Sequence, residues 1–407
     1  MAYVYRHATS EDWNAVSDVL FASFHESPDE ITIAAERKTW EPERAVVAEL
    51  DGTIRGHASS FTRDLAVPGA TVPTAHVTMI SVDATHRRQG LLNTMIDMLH
   101  QDAAEHGEPI AALWASEGGI YQRYGYGLAS QRAAVGGLSA EVRWREPGDG
   151  TRPRLRAVPP TDTAPMREVY ERVWRDRPGH SSRNDAWWGY ITTDSDELRD
   201  GATPIRAVIH DDEHGRPDGY LLWRVKKEWN DLGHDGTVRV LELIAENPLA
   251  YRALWEFVLA VDLTRHFFQF FAAPDEPIVT AVTDPRRLGM KISDALYVRI
   301  LDLPAALRAR RYAAPVDVVL EVSDPRIPAN AGRWRLRADG DSVSCDRTED
   351  PADLAVPVNA LGSAYLGGIS LARMAAAGGV TELRPGTLAA ASTAFGWARL
   401  PSSLDIF

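Results

Sequence analysis

The hydrophobic pattern changes period around residue 85. From Val77 to Val82 the apolar positions (Val77, Met79, Ile80, Val82) have strand-like spacing and are rich in β-branched residues. From Leu91 they recur at helical intervals, at Leu91, Leu92, Met95, Ile96, Met98 and Leu99. Between the two lies Arg87-Arg88-Gln89-Gly90. A strand ending in a basic turn that opens a helix offers free backbone N–H groups and the positive end of the helix dipole. That combination cradles pyrophosphate. Gly90 would admit the phosphates without a Cβ in the way, and Arg87 and Arg88 add donors.

The same reading orders the rest of the chain. Thr9-Ser10-Glu11-Asp12 starts a helix with a hydroxyl cap and first-turn acids, and Val16, Val19, Leu20 and Phe24 form its apolar stripe. Residues 44–50 and 54–60 read as a hairpin turning at Asp51-Gly52. Residues 129–138 read as the last strand of a first domain, and Pro147-Gly148-Asp149-Gly150 as its boundary. The middle region repeats the outline: a helix after Thr161-Asp162, a hairpin over 205–210 and 219–225, a strand at 238–243, then a helix. Its strand-to-helix turn, Ala245-Glu246-Asn247-Pro248, has an acid and a proline but no glycine, so it predicts no phosphate binding. Beyond 296, strands are followed by helices, an α+β pattern. The expected domains are residues 1–150, 151–295 and 296–407.

Composition narrows the function. The 407 residues are 44% hydrophobic and 25% charged, as in a soluble globular protein. A net charge of −13 argues against nucleic acid as a partner and suits a cationic substrate. Cys345 is the one cysteine, so no intrachain disulfide can form, which fits a cytoplasmic location. No metal site is expected, because Cys345 has no ligand-like neighbours in sequence. No signal core or membrane-spanning run is found, so no membrane partner is expected.

Two motifs then bring a family into view. The placement of Arg87-Arg88-Gln89-Gly90-Leu91-Leu92 resembles the acetyl-CoA loop of GNAT acetyltransferases, whose Q/R-x-x-G-x-G/A motif follows a central strand. The run HRRQGLL is similar to the HRRRGLL form of the Eis family, aminoglycoside acetyltransferases of actinobacteria. Leu92 departs from the general motif. Residues 115–127, ASEGGIYQRYGYG, resemble the Eis segment ASEGGIYGRFGYG, and residues 360–367 resemble LGSLYLG of the family's C-terminal domain. The resemblance implies an α/β and α+β chain: two tandem GNAT-like domains, the second degenerate, then a sterol-carrier-protein-like domain.

It also implies site residues. Tyr121 would be the general acid, and the C-terminal carboxylate of Phe407 the general base. Acetyl-CoA would be held by Ile80, Ser81, Val82, Arg87, Arg88, Gln89, Gly90, Leu91, Leu92 and Ser116. Glu26, Trp40 and Met79 would face the acceptor, a cationic amine of the aminoglycoside or polyamine kind. Ile406 stands where the mycobacterial relative has an acid, so an acceptor contact there would shift to Asp405 or be absent. A homohexamer is implied. Two alternatives stay open: acetylation of protein or peptide lysines, and a non-catalytic GNAT-fold scaffold.

Overall fold

The computed structural model describes residues 2–148, 150, 153–231 and 233–407; Asp149 of the expected boundary turn lies outside them. The first unit contains β1 (Val4–His7), β2 (Ala45–Leu50), β3 (Thr53–Val67), β4 (Ala70–Val82), β5 (Ile110–Trp114) and β6 (Gly127–Leu128). Its helices are α1 (Trp13–Phe24), α2 (Glu30–Thr39), α3 (Leu91–Glu105) and α4 (Gly118–Tyr121). The apolar face of α3, with Leu91, Met95, Ile96 and Leu99 buried, packs on this sheet.

Two strands are exchanged between units, which corrects the expected boundaries. The segment Leu296–Ile300, read as the entry to the third domain, lies between β5 and β6 in the first sheet. All five of its residues are buried, as in a central strand. The strand β7 (Gln131–Leu138), read as the last of the first domain, belongs to the second sheet, between Lys291–Asp294 and Thr264–Ala272. Cuts at 150 and 295 therefore do not separate the two sheets. Hydrophobic period identifies a strand but does not choose its neighbour, which is settled by long-range pairing.

The second sheet continues through Gly236–Ala245, Pro217–Lys226, Arg206–Asp211 and Leu155–Val158. The third unit has five strands in the order Ser342–Arg347, Gly332–Asp339, Val316–Ser323, Leu354–Pro357, Thr381–Glu382. One apolar core runs from Leu65, Ile110 and Val298 of the first sheet to Leu320, Leu336 and Tyr365 of the third unit. Gly362 permits that contact: a Cβ there would stand 2.3 Å from the Val298 carbonyl oxygen.

Candidate active site

The site begins where β4 and β5 part. They pair in parallel from Thr74↔Ile110 to His76↔Ala112 and no further, so Val77–Val82 keeps one free edge. On its other side β4 pairs with β3, but the register slips between His57 and Ser59. Met79 sits in this bulge with φ +50, a left-handed conformation that is costly for a side chain of its size. A buried relay holds it. The Trp40 indole donates to His57 Nε2 at 3.3 Å, which puts the imidazole proton on Nδ1, where it donates to the Met79 carbonyl at 2.8 Å. Burial pushes the His57 pKa down to about 4, keeping the ring neutral.

The expected phosphate loop has the local geometry for anion binding. Gly90 adopts φ +90 at the start of α3, and Arg88 is also left-handed at φ +63. No side chain caps the helix, so its first N–H groups face outward. Arg87, Arg88 and Gln89 are exposed. Gln89 Oε1 accepts from the Tyr3 hydroxyl at 2.9 Å, which fixes the loop to the N-terminal strand. Leu91 is buried, so only its backbone can serve a ligand; Leu92 is half-buried against the same core. Ser81 is buried, its hydroxyl without a partner among the described residues. This edge and loop would suit a pantetheine and pyrophosphate, the strand edge of Val77–Val82 for the arm and residues 87–92 for the phosphates.

Below the bulge lies a cavity of about 360 Å³. Its walls bring together Glu26, Met79, Ile80, Ser116, Tyr121 and Phe407 from the expected set. Tyr121 is buried, and burial raises its pKa, opposed by a hydrogen bond with Ser116, so the hydroxyl keeps its proton. Phe407 stacks on the neutral His76, ring centroids 4.6 Å apart. Trp40 is not on the wall. It is buried behind it against Trp13, and acts on the site only through His57 and Met79.

Three wall residues escaped the sequence reading. Trp187 and Tyr190 reach in from the second unit on the helix Asp185–Ile191, which packs against α2. They replace the expected indole of Trp40. Glu36, on the cavity side of α2, is the third; its Oε2 is buried and has no partner among the described residues. Burial, then the charges of Glu26 and Glu197, raise the Glu36 pKa to about 7. Glu26 is raised by the same two causes, burial first and then Glu197. The acidic i, i+10 pair was visible in sequence, but nothing there set Glu36 apart from a solvated helix face. Asp405 does not face an acceptor. It is buried, bound to Arg63 at 2.8 Å and also to Arg183, and both guanidiniums hold its carboxyl well below the usual range.

Residues 4–129 and 179–300 each match an acetyltransferase (GNAT) domain, and residues 303–403 a sterol carrier protein domain. N-acetyltransferase Eis of Mycobacterium bovis is 34% identical over 385 residues, 91% of this chain and 90% of its own. The chain belongs to the Eis family of GNAT N-acetyltransferases. An uncharacterized N-acetyltransferase of Streptomyces avermitilis is 41% identical, covering 96% of both chains. The crystal structure of Eis1 from Mycobacterium abscessus superposes with a TM-score of 0.86 at 32% identity, over 99% of this chain and 100% of that one. Within the Eis family the second GNAT unit here keeps the fold but not the loop. Asn247 caps the helix Pro248–Leu259 by accepting from Leu249 and Ala250 N–H, and Pro248 offers no donor. Glu246 is tied to Arg172 and Arg216.

Proposed function

We propose that this N-acetyltransferase acetylates amines of polycationic small molecules, of the aminoglycoside kind, using acetyl-CoA. The observation behind the reading is the cavity itself, whose lining brings protonated Tyr121 together with Glu26, Glu36 and Trp187. Acidic groups beside an aromatic ring suit ammonium groups through ion pairing and cation–π contact.

Acetyl-CoA supplies the acyl group as a thioester. Ile80, Ser81 and Val82 would hold its arm through the free strand edge, and Arg87 to Leu92 its phosphates. Tyr121 holds the proton needed at the leaving sulfur, positioned by Ser116. The Phe407 carboxylate takes the proton from the attacking amine, with the ring anchored on His76. Met79, fixed by the Trp40–His57 relay, shapes one wall of the acceptor cavity. A homohexamer is proposed on the family resemblance, checked by light scattering.

The test is release of free CoA with kanamycin and, separately, with a lysine peptide. Turnover with kanamycin at a kcat/KM well above that of the peptide is expected. Preference for the peptide would move the reading to protein acetylation, and no release with either would leave a binding scaffold.

A further inference from the structure

The second unit contains a cleft that acetyl transfer does not use. The strands Gly236–Ala245 and Thr264–Ala272 pair in parallel from Gly236↔Thr264 to Val240↔Gln269 and then separate, just as β4 and β5 do. Between their ends lies a cavity of about 650 Å³. The strand end and the following turn, residues 243–248, form one wall, so unpaired backbone N–H and C=O groups face the space.

Two buried side chains point to an occupant. Gln269 is 3% exposed and lines the cavity; its Nε2 donates to the Phe271 carbonyl, and its Oε1 has no partner among the described residues. His180 is 7% exposed; its Nε2 meets the Ser402 hydroxyl at 3.3 Å, and its Nδ1 has no partner among the described residues. Buried polar atoms left unpaired are uncommon, because each forfeits its hydrogen bond to water.

The buried charges of the lining are committed, and Arg399, Asp176 and Glu146, which have no ion pair among the described residues, sit at exposed positions of its rim. Arg177 pairs with Asp275, Arg252 with Glu256, and Glu246 with two arginines. Glu276 accepts from the Tyr251 hydroxyl and from Ala273 N–H. The capped helix start and Glu246 exclude a pyrophosphate. What remains is a free strand edge with a neutral amide and a neutral imidazole beside it.

We infer that this cleft binds an extended, uncharged chain of secondary amides. The chain lies along the free edge of Gly236–Ala245 as an added strand, and Gln269 Oε1 accepts one of its N–H groups. The chemistry is shared by a pantetheine arm without its nucleotide and by a short peptide.

The experiment uses the full-length protein saturated with CoA, so that the first cleft is filled. Pantetheine and N-acetyl-trialanine methylamide are titrated separately by calorimetry, which identifies the source of the amide chain. One site is expected for at least one probe. Gln269→Leu and the cavity-filling Ala281→Phe should each weaken it at least about tenfold. CoA affinity, measured in parallel at the first unit, should stay unchanged and shows that each variant folds. The inference is independent of the acceptor's identity. Absence of binding by both probes overturns it, as does binding that neither variant alters.

Discussion

At the scale of single residues, the cavity depends on two titratable groups with opposite tasks. Tyr121 is kept protonated by burial, and in the proposed mechanism its hydroxyl acts as charge develops on sulfur. Tyr121→Phe should lower kcat by roughly 10²–10⁴-fold with little change in acetyl-CoA KM, read by steady-state kinetics. Wild-type kcat would make Tyr121 a packing residue. Glu36 ionises late, at about 7 against an ordinary 4.5. Its protonated form is therefore favoured by folding, and that contribution fades as pH rises from about 4.5 through 7. Glu36→Gln should raise stability by roughly 1–3 kcal/mol at pH 8 and leave it unchanged near pH 4, measured by denaturant titration. In the wild type the KM for a cationic acceptor should fall as pH rises through 7, and the substitution should flatten that profile. An unaltered profile would place the acceptor's charge contact elsewhere, at Glu26.

At the scale of elements, the turn into α3 and the bulge in β4 divide the work between them. The turn is left-handed at Arg88 and Gly90 and leaves the helix start uncapped. Replacing Arg87 and Arg88 together with Ala should raise the acetyl-CoA Kd by calorimetry, each charge-assisted contact to phosphate contributing about 1.5–3 kcal/mol. The fold should persist, since both side chains are exposed and Arg87 makes only a 3.5 Å contact to the Val82 carbonyl. Unchanged affinity would remove the loop from the cofactor site. The bulge leans on its relay, because the bond from His57 to the Met79 carbonyl offsets part of the cost of φ +50.

At the scale of the whole molecule, the chain end ties three units together. Asp405 is clamped between Arg63 of the first unit and Arg183 of the second, and Arg183 also binds Glu242. Two cations and two anions balance inside the protein, so removing one leaves a buried charge uncompensated. Asp405→Ala should cost roughly 3–5 kcal/mol in a thermal or denaturant melt and release the tail from both cavities. Wild-type stability would show that the clamp relaxes without cost. The same clamp sets Phe407 against His76, so an uncleaved C-terminal tag should abolish acetyl transfer while acetyl-CoA still binds. Full activity in the tagged protein would place the base elsewhere, with Glu26 next.

Much was legible in sequence wherever the signal is local. The period change at residues 77–99, the glycine that a φ of +90 requires, and the acid and proline of residues 245–248 are all set by neighbours along the chain. So are the hairpins and the order of helices and strands, because backbone sterics and hydrophobic spacing act over a few residues. The motif runs added the family, and with it Tyr121 and Phe407. What only the tertiary structure decided depends on residues far apart in the chain. Leu296–Ile300 and β7 were recognisable as strands, yet which sheet each joined followed from pairing across more than a hundred residues. Trp40 was the indole expected in the pocket; packing buried it behind His57 and brought Trp187 in on a helix from another unit. Glu36 and Asp405 look alike as isolated acids. Burial beside other carboxylates leaves one hard to ionise, and two arginines from different units keep the other charged and out of reach of an acceptor.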